Sequence, residues 1–155
     1  MKHMRNFFVV GALAAALMCG ALIGCAQAAD KGDAEFRLVA NDETCVVIAA
    51  DKSDTDRSLY DALAFFATSG EITMDGSESE YGFYLTSLNG REATDEYYWA
   101  VYTTLGILDG VEYSNAAWGT WEYGGETLAS ASYGVSGLPL VEGELYALVW
   151  TAIES

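Results

Sequence analysis

From residue 34 onward, a single stretch carries an apolar stripe of helical period. Between about residues 57 and 68, Leu59, Leu63 and Phe66 recur at i, i+4 and i+7 with Ala62 beside them, the spacing that lines one face of an α-helix. Asp51-Lys52-Ser53-Asp54-Thr55-Asp56 supplies a polar lead with N-cap side chains, Asp61 lies in the first turn, and Gly70 fits a C-cap. The rest reads as short strands cut by turn residues. Phe36–Ala40 and Cys45–Ala50 flank Asn41-Asp42 as a hairpin. Gly82–Leu88 runs into Asn89-Gly90, the strongest short hairpin signal. Tyr97–Thr103, Trp118–Tyr123, Leu128–Val135 and Leu145–Thr151 complete the strand set, with turns at Gly124-Gly125 and Glu142-Gly143. Residues 105–115 read as irregular around Asp109-Gly110, and residues 137–140 as a loop. Two strands, one helix and then several strands predict an α+β domain, a β-grasp-like mixed sheet with one packed helix, following an N-terminal signal segment.

That segment is read from its charge pattern. Lys2 and Arg5 precede an uncharged apolar run, residues 7–23, that stops at Gly24-Cys25 and is followed by Asp30 and Asp33. A basic end, an apolar middle and a small-residue processing site make a secretory signal. The run is at the lower limit for crossing a hydrocarbon core of roughly 30 Å, and no basic stop-transfer cluster follows it. Leu22-Ile23-Gly24-Cys25 resembles a lipobox. On that reading residues 1–24 are a lipoprotein signal peptide, Cys25 is lipidated, residues 25–33 are a tether and residues 34–155 are the domain. Two or three acyl chains anchor a protein where one does not, because each buried methylene contributes about 0.8 kcal/mol. Ala26-Gln27-Ala28 offers a second cleavage site, before Ala29, which would discard Cys25. Cys19 is a poorer acylation site because bulky Met18 precedes it.

Charge and cysteine content exclude several functions. Lys2 and Arg5 leave with the signal, so five bases face all 23 acids and the formal charge moves from −16 to about −18. Nucleic-acid binding needs a basic footprint, and this chain has the opposite. Docking flat on anionic lipid is disfavoured for the same reason. The only histidine, His3, lies in the signal. Without imidazole, Ser-His-Asp and Cys-His catalysis and histidine-based metal sites are ruled out. With Cys25 acylated, Cys45 has no disulfide partner within a monomer and reads as a small buried hydrophobe. Its near neighbours Asp42 and Glu43 are the wrong sign for activating a thiol.

The order of motifs resembles a known family. Leu59–Leu63 reads Leu-Tyr-Asp-Ala-Leu, residues 86–90 read Thr-Ser-Leu-Asn-Gly, and residues 98–102 read Tyr-Trp-Ala-Val-Tyr. In this arrangement the chain is similar to the small C-terminal β domain of transcobalamin and intrinsic factor, and to bacterial surface lipoproteins carrying that domain alone. The resemblance covers about residues 34–153. It implies a β-grasp-like fold and cobalamin or another corrinoid as ligand. The chain departs from the family after Tyr102. Where a short Asn-Gly turn is usual, residues 103–123 form a longer stretch with Trp118 and Trp121. It also lacks the helical domain that holds most of the ligand in the vertebrate transporters.

Aromatic residues between 97 and 123 are the main functional signal. Tyr98, Trp99, Tyr102, Trp118, Trp121 and Tyr123 are the expected ligand-binding set, since flat rings with polar tips stack on a ring system, a sugar or a protein surface. Alternate members of such a run also fill cores. Asp51, Asp54 and Asp56 resemble calcium ligands but lack the glycine and terminal glutamate of an EF-hand loop. Glu78, Glu80, Glu92, Asp95 and Glu96 have no spacing that fixes a catalytic carboxylate pair. The expectation is therefore a non-enzymatic, lipid-anchored extracytoplasmic module for a small ligand, with no catalytic residue, metal or cofactor. The alternative is a cell-surface module that presents the same aromatic edge to a protein or glycan.

Overall fold

A computed structural model describes residues 35–154. The expected signal peptide, Cys25 and the tether lie outside them. The first hairpin pairs β1 (Phe36–Asn41) with β2 (Cys45–Ala50) in antiparallel register. Its turn is built by Asp42, whose carboxylate accepts the backbone N–H of Thr44 at 2.6 Å and of Cys45 at 2.9 Å, and the Thr44 hydroxyl at 2.7 Å. These bonds hold the Asp42 carboxyl below its usual pKa, the Thr44 hydroxyl contributing most.

The helix, α1 (Leu59–Thr68), starts at Ser58. The Asp61 carboxylate accepts the Ser58 backbone N–H at 2.7 Å, reaching back to an N–H the helix cannot satisfy. The helix ends at Gly70 in a Schellman turn, where Gly70 N–H donates to Ala67 and Glu71 N–H to Phe66. Leu59, Ala62, Leu63 and Phe66 are buried, as the stripe predicts. A ten-residue helix is marginal by itself. Burying Leu59, Leu63 and Phe66, at roughly 1.5–3 kcal/mol each, is what holds it in place.

The remaining strands are β3 (Asp54–Ser58), β4 (Met74–Ser79), β5 (Gly82–Leu88), β6 (Arg91–Glu92), β7 (Tyr97–Thr103), β8 (Ile107–Leu108), β9 (Val111–Glu112), β10 (Ser114–Tyr123), β11 (Glu126–Ala131), β12 (Pro139–Leu140) and β13 (Leu145–Ala152). Six form the main sheet in the order β1-β2-β13-β7-β11-β10, so the last strand lies near the middle. All its pairs are antiparallel. The mixed sheet expected from sequence is therefore an antiparallel one. Sequence order alone does not fix the direction in which β13 enters between β2 and β7. Strands β4-β5-β6 form a smaller sheet, β3 pairs with β12, and β8 with β9. Asn89-Gly90, Asp109-Gly110 and Gly124-Gly125 all have positive φ at both residues, which suits the tight hairpins they close. Register breaks interrupt β1 between Leu38 and Ala40, β5 at Thr86 opposite Asp75 and Gly76, and β10 between Asn115 and Thr120.

The two faces of the main sheet differ. Cross-strand register places Phe36, Ile48, Trp99 and Tyr146 on one face. There Phe36 meets Phe65 and Phe66 edge-on, at 5.4 and 5.6 Å between ring centres, joining the sheet to α1. The Trp99 indole N–H donates to the Arg91 carbonyl at 2.9 Å, and Tyr60 packs on Phe83 at 4.8 Å, joining sheet and helix to the smaller sheet. The opposite face carries Val47, Leu128 and Ala147, all fully buried, with Tyr102, Trp121, Tyr123, Val149 and others packed against them.

Candidate functional site

Period-two alternation in β7 decides which aromatic residues meet. Tyr98 and Tyr102 point to the face opposite α1, whereas Trp99 points to the helix side. Trp99 is 7% exposed and its only polar atom is already bonded to Arg91. Its expected role in ligand binding is corrected: it is a core residue, packed on Trp150 at 5.2 Å.

Tyr98 and Tyr102 line a cleft of about 880 Å³ with Tyr84, Thr94, Trp118, Thr120, Thr151 and Glu154. This lies within the size range of small-molecule sites. Local structure accounts for each wall. The Thr94 hydroxyl accepts the N–H groups of Glu96 and Tyr97, both at 3.1 Å, and so sets the entry into β7. Trp118 sits on the bulge of β10. The Asn115 side chain accepts the Ala117 N–H at 2.9 Å and shapes the start of the bulge. Gly119 ends it at φ +134°, a conformation that L side chains rarely adopt. Trp118 is left 67% exposed. A Cβ at Gly119 would lie 3.9 Å from the Tyr102 ring, so bulge and ring are immediate neighbours.

Burial pushes the Tyr102 hydroxyl above its usual pKa, and Tyr98 adds to the effect, while a hydrogen bond with Thr151 works against it. At neutral pH Tyr102 therefore presents a neutral ring with a polar tip.

Trp121 and Tyr123 lie on the same sheet face but outside this cleft. They stack on one another at 5.7 Å and pack over Val47, Leu128 and Ala147. Tyr123 borders a separate recess of about 450 Å³ with Arg37, Asp51 and Glu142. The structure thus gathers Tyr98, Tyr102 and Trp118, keeps Trp121 and Tyr123 apart as a pair, and removes Trp99. Compared with protein-family models and with curated proteins, the chain matches none.

Tyr84, Thr94, Thr151 and Glu154 are cleft residues that the sequence reading missed. Tyr84 alternates with Phe83, which packs on the helix, so its opposite orientation was the available signal. The aspartates read as calcium-like have other partners. Asp51 accepts from Arg37 at 2.8 Å, and Asp54 lies 4.0 Å from Arg57. Among the described residues no cluster of three or more His, Cys, Asp or Glu could hold a metal ion, and no helix is long and apolar enough to cross a membrane. Cys45 is half-buried, and burial together with Asp42 raises its thiol pKa, which keeps it protonated.

Proposed function

We propose that this chain is a lipid-anchored extracytoplasmic binding module that holds a small ligand without transforming it. The observation carrying this reading is the convergence of Tyr98, Tyr102 and Trp118 on one cleft, with Trp118 held out on a shaped bulge instead of folded into the core. An exposed tryptophan gains most when something flat or apolar covers it. The sequence supports the address through its signal-like leader and Leu22-Ile23-Gly24-Cys25. The absence of histidine from residues 25–155 and the protonated state of Cys45 support binding over catalysis.

A corrinoid is the ligand that the transcobalamin-like resemblance implies. The β-grasp-like fold belongs to the same proposal. It is supported by a first hairpin followed by a helix packed on the sheet, although the all-antiparallel pairing departs from a mixed sheet. Titrating the full chain in uncharged detergent with cobalamin, followed by tryptophan fluorescence, tests the ligand. Saturable quenching that disappears in Trp118→Ala is expected; no quenching, or quenching unchanged in that variant, removes the cleft from consideration. Metabolic labelling with a palmitate analogue tests the anchor, and label must vanish in Cys25→Ala.

A further inference from the structure

The charges around the cleft narrow the ligand class. Among the described residues Glu154 is its only charged lining residue. The four described bases are all elsewhere: Arg37 is bonded to Asp51, Lys52 to Glu35, Arg57 lies over Phe36, and Arg91 pairs with Glu43 and lies over Trp150. Among the described residues a phosphate or carboxylate entering the cleft meets no cation, and the whole chain, at about −18 without its leader, repels it further. The lining instead includes four aromatic residues, Tyr84, Tyr98, Tyr102 and Trp118, and one carboxylate. Aromatic rings attract cations through their quadrupole, most strongly for tryptophan, and this is how quaternary ammonium groups are commonly held.

We infer that the cleft takes an organic ammonium group, a quaternary or tertiary amine held against Tyr98, Tyr102 and Trp118 with Glu154 as its counter-charge. The inference rests on the cleft being the ligand site but not on that ligand being a corrinoid, which carries a phosphodiester and no ammonium group. Thr94 also lines the cleft, and its hydroxyl, which accepts two N–H groups, still has a proton to donate to the polar remainder of such a ligand.

The test compares choline with 3,3-dimethyl-1-butanol, which has the same shape without the charge. Both are titrated into the full chain in an uncharged maltoside detergent at constant ionic strength. Binding is read by tryptophan fluorescence and by saturation transfer to the methyl protons. Choline is expected to bind about tenfold more tightly than the neutral analogue, the scale of one or two partly desolvated cation–π contacts. Trp118→Ala, at a position 67% exposed, should weaken choline by about tenfold. Glu154→Gln should weaken choline by roughly threefold and leave the neutral analogue unchanged. Equal binding of the two compounds, or no saturable response to choline, overturns the inference. If cobalamin still quenches Trp118 when choline does not bind, only the ammonium preference falls. If neither compound responds, the binding cleft falls with it.

Discussion

Replacing Tyr146 by phenylalanine isolates one buried bridge. Tyr146 is fully buried, and its hydroxyl donates to the Pro139 carbonyl at 2.6 Å while accepting the Val141 N–H at 2.9 Å. It thereby ties β13 to the segment that includes β12, which in turn pairs with β3 just before the helix. Phenylalanine fills the same space but leaves one carbonyl and one N–H without their partner. A stranded buried polar group costs about 1–3 kcal/mol, and because Pro139 and Val141 are only half-buried, about 2 kcal/mol in total is expected. For a domain of this size that lowers Tm by roughly 8 °C. The variant also predicts a pH signature. Burial, with a smaller contribution from the Glu144 charge, raises the Tyr146 hydroxyl pKa to about 12, partly offset by the Val141 hydrogen bond. Unfolded tyrosine ionises near 10. The stabilisation is therefore complete below pH 10 and is lost as pH climbs through 12, by about 2 kcal/mol. Urea unfolding from pH 8 to 12 reads both effects. The wild type should lose stability more steeply above pH 10 than Tyr146→Phe does. A variant within 0.5 kcal/mol of wild type at pH 8, or parallel profiles above pH 10, would refute the reasoning.

Three further outcomes are expected. Asn89→Ala should cost about 2 kcal/mol in urea unfolding, because Asn89 sits at φ +51° and its side chain donates to Asn41 at 2.6 Å and to the Asp42 carbonyl at 3.1 Å; Asn89→Gly, which accepts that backbone angle, should recover part of the loss. In Gly76→Ala the new Cβ would stand 2.2 Å from the Tyr84 carbonyl oxygen and 2.6 Å from the Phe83 ring, so a loss of roughly 1–3 kcal/mol and a shifted Tyr84 amide signal by NMR are expected. Cys45 should react with a maleimide about tenfold more slowly in the folded chain than in urea at pH 7.5, since burial and Asp42 both disfavour its thiolate; equal rates would contradict that account.

How far the sequence can be read depends on which force decides each element. The helix was legible because Leu59, Ala62, Leu63 and Phe66 carry their burial in their spacing. The hairpins at Asn89-Gly90 and Gly124-Gly125 were legible because few other residues take those backbone angles. Strand β3, Asp54–Ser58, straddles the polar lead that ends at Asp56 and the expected helix start at about residue 57, and β4, Met74–Ser79, carries no hydrophobic pattern, being exposed over nearly all its length. Both are held by backbone pairing with β12 and β5, a property of distant partners that side-chain patterning does not encode. The site follows the same rule. Aromatic density pointed to strands that line the cleft, and strand alternation separated Trp99 from Tyr98 and Tyr102. Glu154 joins the cleft from beyond the last strand, so nothing local marked it, whereas Tyr84 was marked only by its alternation with Phe83.

The register breaks in β1 and β10 have a consequence for behaviour in a crowd. These are the two outermost strands of the main sheet. Neither rim of the large sheet offers a neighbouring molecule an unbroken row of backbone donors and acceptors. The net negative charge adds repulsion, so both features disfavour edge-to-edge pairing of copies into a continuous ribbon.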